Sequence, residues 1–276
     1  MQFKIIAIVL CLLFLSLKLN AHEYWFEPLD FEIKVSDKLR AHEKVGSNFK
    51  GNEYAYLATS YESFNITIGD ETRPIKSRLG DLPAVNEVID KEGLLILSAV
   101  TTPSDLTYKT KEKFESFLVN QGLGWVKERH LKRGLPEKGF KEIYLRYPKS
   151  VVKVGSGKGH DKEMGLVLEW VLDTNPYTET SGPIKGHLLW RGKPLANKRV
   201  NVFNRIYSDG TNILANTTLV ETHLSTDDKG AVEVPRGKGG LFLISAVHMI
   251  EPSKKTATET GAVWESLWAS TTYRLP

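Results

Sequence analysis

Leu241-Phe242-Leu243-Ile244-Ser245-Ala246-Val247 is apolar on both faces, the pattern of a strand buried at the centre of a sheet. The chain around it reads the same way. Upstream, Val232 and Val234 alternate with polar neighbours after the turn signal Asp227-Asp228-Lys229-Gly230. Further back, Val200 and Val202 alternate with Asn201 and Phe203, and Ile184 to Trp190 is a strand closed by the turn Arg191-Gly192-Lys193-Pro194-Leu195. Downstream, Val263 to Leu275 is the last strand. Short strands separated by Gly, Asp and Pro turns predict a β-sandwich over residues 179–276.

Residues 22–178 also read as mostly β. Phe31 to Val35 alternates, Phe64 to Ile68 ends at the turn signal Gly69-Asp70, and Leu94 to Leu97 is a buried strand. Leu166, Leu168, Trp170 and Leu172 share one strand face. A helical insert interrupts this half. Lys111 to Gly134 carries Phe114, Phe117 and Leu118 at helical spacing, with Gly122 and Gly124 dividing it into two helices. Tyr144 and Tyr147, three apart, predict a third helix over 141–149. The polar run Asp173 to Pro183 sets the boundary between two β-sandwich-like domains, 22–178 and 179–276.

Residues 1–21 belong to neither. Lys4 precedes an apolar run from Ile5 to Leu17, and Ala21 offers a small residue at the cut: a signal peptide, too short for a comfortable membrane span. Cys11, the one cysteine, leaves with it, so the mature chain has no disulfide and rests on core packing. With 41% hydrophobic and 25% charged residues, the composition is that of a globular protein. The chain holds 37 basic and 33 acidic residues, and loss of Lys4 and Lys18 with the leader brings it closer to balance. That is no nucleic-acid footprint. The expected location is the periplasm, with no membrane span in the mature protein.

Cleavage after Ala21 makes His22 the first residue. Its α-amine and ring Nδ1 can then chelate one metal ion, since an amine of pKa near ~8 yields its proton to a metal at neutral pH. Nitrogen-rich sites of this kind suit Cu(II) or Ni(II). His248, at the end of the central strand, is either a satisfied core histidine or a third ligand. His42 beside Glu43 is in reserve. His160 falls in a Gly-rich loop, His130 on a solvated basic helix face, and His187 and His223 point outward. Glu265, between Trp264 and Trp268, is an ion-pair partner, an outer carboxylate or a surface acid. No Gly-x-Ser-x-Gly elbow, phosphate loop or His-Glu-x-x-His occurs, and Asp227 to Gly230 lacks the further acids of a calcium loop. The chain is therefore not expected to be an enzyme.

Ala21-His22-Glu23-Tyr24-Trp25-Phe26-Glu27-Pro28 resembles the opening of the DUF4198 family, periplasmic proteins described as nickel- or cobalt-transport-associated (NikM-like). Val45-Gly46-Ser47-Asn48-Phe49-Lys50-Gly51, Arg146-Tyr147-Pro148-Lys149 and Asn175-Pro176-Tyr177 resemble its following blocks, though Pro148 replaces the usual small residue. Gly192 to Leu195, Thr226 to Gly230, Ala246 to Met249 and Trp264 to Ser270 resemble the rest, in order. The second half is also similar to transthyretin-like and carboxypeptidase-regulatory sandwiches. The resemblance implies a metal site at His22 and His248, with nickel or cobalt as the ion and a membrane transport system as partner; affinity order suits copper at least as well, and Trp25, Trp264 and Trp268 are expected to shield the site. Two other readings stay open. One is a non-catalytic envelope protein that binds a carbohydrate or another protein. The other is an oxidative copper enzyme, similar to the polysaccharide monooxygenases that also begin with histidine.

Overall fold

The computed structural model describes residues 22–207 and 217–276; the predicted signal peptide lies outside them. The fold is mostly β, with several sheets and a short helical insert. Its backbone is a long sheet that runs through both halves of the chain. The central strand of the sequence reading is β17 (Gly240–Ile250), and its partners are β14 (Arg199–Tyr207) and β18 (Ala262–Leu275). β18 in turn pairs in parallel with β10 (Phe140–Val154), which pairs with β8 (Gly93–Thr101), and β8 with β5 (Tyr61–Ile68). β15 (Thr217–Ser225) and β6 (Glu71–Pro74) form the edges.

Each face of this sheet carries a second layer. On one side lie β11 (Leu168–Leu172), β12 (Ile184–Trp190) and β16 (Ala231–Val234). Leu168, Trp170 and Leu188 from that layer pack on Phe242, Ile244 and Leu267. On the other side lies a sheet of β1 (Glu23–Pro28), β3 (Lys38–Ser47), β4 (Lys50–Tyr54) and β7 (Val85–Val88). Phe26, Leu39 and Val85 there pack on Phe64, Leu95 and Leu97. Side chains alternate across a strand, so Leu94 and Ile96 serve one core while Leu95 and Leu97 serve the other. A strand buried on both faces must be apolar throughout, which is why Leu94 to Leu97 and Leu241 to Val247 read as unbroken runs.

The boundary drawn at 178/179 falls between β11 and β12, which pair with each other. Strands from both sides of it also meet along ten residues of β10 and β18. The helical insert is α1 (Lys111–Asn120), capped by the Thr110 hydroxyl accepting from Lys113 N–H, and α2 (Gly124–Lys132). Its Phe114, Phe117 and Val126 cover Trp264, Trp268 and Val247 on the β1 side of the long sheet.

Two expectations need correction. Residues 141–149 are not a helix but the middle of β10. The tyrosine spacing misleads because Val151, Val152 and Val154 continue the segment as a buried strand, and β18 and β9 (Ser104–Tyr108) take up its backbone. Pro148 is tolerated because β10 pairs with β9 only through Tyr144 and with β8 only from Val151. His130 is not solvated. It is 4% exposed, accepts from Trp264 Nε1 at Nδ1 (3.0 Å), and sets Nε2 2.9 Å from the Pro136 carbonyl.

The block Val45 to Gly51 is a β3–β4 hairpin turning at Asn48-Phe49, both with φ +54°. Such a two-residue turn matches strand twist but strains a phenylalanine. Buried contacts hold it there. The Phe49 ring packs on Trp25 (5.4 Å), the Arg205 guanidinium lies over it (4.4 Å), and Arg205 Nη2 donates to its carbonyl. Gly51 is required by the same packing, since a Cβ would stand 2.7 Å from Trp25 Cη2 and 2.6 Å from the Val45 carbonyl oxygen.

Candidate functional site

His22 immediately precedes β1, and β1 fixes where it goes. The Ser270 hydroxyl donates to the Tyr24 carbonyl (2.6 Å), and the Thr272 hydroxyl to the Phe26 carbonyl (2.7 Å). Both strands advance two residues between these contacts, so one step back sets His22 beside Trp268. The two residues do line the same cavity, of about 380 Å³.

The cavity follows from the pleat of the long sheet. Parallel register pairs Tyr144 with Ser266, Arg146 with Trp268 and Ser150 with Thr272, so the even-numbered residues of β10 and β18 share one face. β1 covers one end of that face and the helical insert the other. The gap between them is lined by His22, by Glu142, Tyr144 and Arg146 of β10, by Trp268, by Leu106 to Lys109, and by Lys113 and Phe117 of α1.

Its polar groups fall into two sets. Glu142, 1% exposed, accepts from Ser266 Oγ and from Tyr108 Oη (2.9 Å), and Ser266 Oγ accepts from Trp268 Nε1 (2.9 Å). Burial pushes its carboxyl up to about 7 against the pull of those hydrogen bonds, so at neutral pH much of it is uncharged. The cations are the second set. The Arg146 guanidinium lies 4.5 Å from the Tyr144 ring centre and 5.5 Å from that of Tyr24. Its buried Nε has no hydrogen-bond partner. Among the described residues no carboxylate lies within ion-pair distance of Arg146, Lys109 or Lys113. Partial burial, then the charge of Arg146, holds the His22 imidazole below its ordinary pKa, so it is neutral and free to donate a lone pair. Glu23, beside it, is buried and raised to about 7, chiefly by burial, with Glu221 adding repulsion.

The other proposed ligand lies elsewhere. His248 pairs in register with Leu267, an odd-numbered residue of β18, and so stands on the opposite face of the long sheet from His22. Its ring packs edge-on against Trp190 (4.5 Å), and neither ring nitrogen has a partner. Burial, helped by Lys198, lowers its pKa to about 4. The structure therefore does not bring His22 and His248 together. Of the three tryptophans expected as a shield, only Trp268 reaches the cavity: Trp25 donates to Glu27 beside Phe49, and Trp264 to His130. Glu265 shares the His248 side, where burial raises its pKa and Arg191 opposes. His42 meets Glu53 (3.3 Å), His187 meets Asp173 (2.9 Å), His160 is exposed, and His223 is 3.1 Å from Asn201 Oδ1. Among the described residues no group of three His, Cys, Asp or Glu is placed to hold a metal ion.

Arg146 was legible only as part of a resembling block, and Lys109 and Lys113 carried no signal. Lys109 and Lys113 follow β9, which pairs antiparallel with β10 ahead of Arg146, while Trp268 comes in from β18 by a parallel pairing across more than 100 residues of sequence. A signal did exist in the alternation of Glu142, Tyr144 and Arg146, which places three polar or amphipathic side chains on one strand face.

No curated protein matches the chain. Among solved structures it is similar to the D0-D1 domain of intimin, at 12% identity and a TM-score of 0.20, over 90% of this chain and 96% of that one. The model for DUF4198, a domain of unknown function, matches residues 19–250, from just before His22 past His248, and the chain belongs to that family.

Proposed function

We propose that this is a non-catalytic periplasmic binding protein that takes part in uptake or handling of nickel, cobalt or copper. The metal is its cargo. It is held by the α-amine and Nδ1 of His22 once the leader is cut behind Ala21. The observation that carries the reading is the position of His22: ahead of β1, half-buried, at a cavity of about 380 Å³, with its imidazole kept neutral. His248 is left out of the site, because it faces the other core. A membrane transport system is the natural recipient of the ion. The finer fold reading goes with this proposal: a transthyretin-like sandwich in which β12 and β16 pack on β14, β17 and β18.

The test is intact mass of the protein processed in the periplasm, followed by titration with Ni(II), Co(II) and Cu(II). A mass beginning at His22 and one tight site are expected. His22→Ala should weaken binding by at least about a hundredfold, because loss of the ring nitrogen opens the chelate and leaves the α-amine as a single donor. An unchanged affinity would remove His22 from the site.

A second reading has its own support. Tyr108, Phe117, Tyr144 and Trp268 line the cavity as aromatic surfaces suited to a carbohydrate or another small organic molecule bound without metal. Metal-independent binding of such a ligand to wild type and His22→Ala alike would favour it.

A further inference from the structure

We propose that the metal enters this cavity as a complex with a small organic polyanion, whose carboxylates meet Arg146, Lys109 and Lys113 while His22 takes open positions on the metal. The inference rests on the His22 reading and adds the chemical form of the cargo.

Three cationic side chains line the cavity with no acid in ion-pair reach. The one carboxyl there, Glu142, already accepts from Ser266 and Tyr108. A bare divalent cation would be repelled by this surround, whereas a net anionic complex is attracted.

Donor number points the same way. A transition metal takes about four to six ligands. His22 supplies two nitrogens, and among the described residues no cluster of His, Cys, Asp or Glu supplies more. The remaining positions are open to water or to a chelator that the ion brings with it, and the cationic lining favours an anionic chelator.

Size and shape agree. A single ion with its waters needs little of 380 Å³, a volume within the range that takes small organic ligands. Arg146 is positioned before any ligand arrives, lying against the Tyr144 and Tyr24 rings with its buried Nε unpaired. A guanidinium fixed in this way suits bidentate capture of a carboxylate.

Citrate is the probe. Mature protein is titrated by calorimetry with Ni(II) alone, citrate alone and the preformed 1:1 Ni(II)–citrate complex, and native mass spectrometry reads the composition of what binds. The account predicts a ternary mass of protein, nickel and citrate, with the complex bound at least about tenfold tighter than the free ion. Arg146→Gln should lose about tenfold or more for the complex, the size of one charge-assisted hydrogen bond, while free-ion affinity holds or rises because one repelling charge is gone. Circular dichroism confirms that the variant is folded. A mass of protein plus nickel only, with Arg146→Gln indifferent to citrate, overturns the inference and leaves the His22 reading intact. Nickel affinity unaffected by His22→Ala, with citrate bound equally well with or without nickel, overturns the His22 reading and this inference with it.

Discussion

His22 and His248 have the same side chain and opposite situations. His22 is half-buried at a polar cavity, and its neutral ring is a usable donor. His248 is 8% exposed against Trp190 on the far face of the sheet, with both nitrogens unpaired, which costs stability. His248→Leu should therefore leave metal affinity unchanged and keep or raise the melting temperature at pH 7.5. The pH dependence has a definite sign. Below 6.5 the unfolded chain binds a proton that the folded His248 refuses until about 4, so wild type loses stability relative to His248→Leu as pH falls through that window. The difference reaches about 2–3 kcal/mol near pH 4, measured by urea unfolding at a series of pH values. Glu142 runs the other way. Its carboxyl is raised from 4.5 to about 7, so the folded state holds a proton that the unfolded state releases, and stability is lost as pH rises through that range. Glu142→Gln should gain about 2–3 kcal/mol on wild type at pH 8 compared with pH 4.5, and equal stability changes at both would contradict the assignment.

At the scale of elements, β10 joins the layers, and Lys149 is its most demanding residue. Fully buried, it reaches Asp161 (2.7 Å), Glu169 (3.3 Å) and the Trp170 carbonyl (2.9 Å), tying β10 to β11 and the loop before it. Lys149→Met should cost about 3–5 kcal/mol by chemical unfolding, because it strands two buried carboxylates; a loss below about 1 kcal/mol would show that they relax to solvent. The same strand marks where sequence reading stops. The second-half strands were legible from alternation and turn residues, and the two short helices from Phe114, Phe117 and Leu118 with their glycines. β10 was not, since Tyr144 and Tyr147 imitate helical spacing and only the distant partner β18 decides between the two. His130 was misread for a related reason: three basic neighbours lie along the chain, while the Trp264 indole that satisfies it is 134 residues away.

For the whole molecule, the shared sheet is the governing fact. β10 from the first half and β18 from the second pair along ten residues, and the Tyr24 and Phe26 carbonyls are satisfied by hydroxyls of β18. Arg205 of β14 adds a clamp on the first half through Glu27 and the Phe49 carbonyl, and with Lys44 it holds Glu27 below the usual carboxylate range against its burial. Residues 22–178 and 179–276 made separately should each lack a cooperative thermal transition and recover one only when mixed. An independent transition in either fragment would mean that the shared sheet is not required for folding.

In the proposed site the cargo metal is held by the amine and ring of one residue, and the free amine is its weakest point. Cu(II) titration of the processed protein, against the same chain with its His22 α-amine acetylated, tests it most directly. The account predicts one tight site in the first and a loss of at least about a hundredfold in the second, with an unchanged melting temperature in the absence of metal. Equal affinity in the two proteins would contradict it, whatever else the cavity binds.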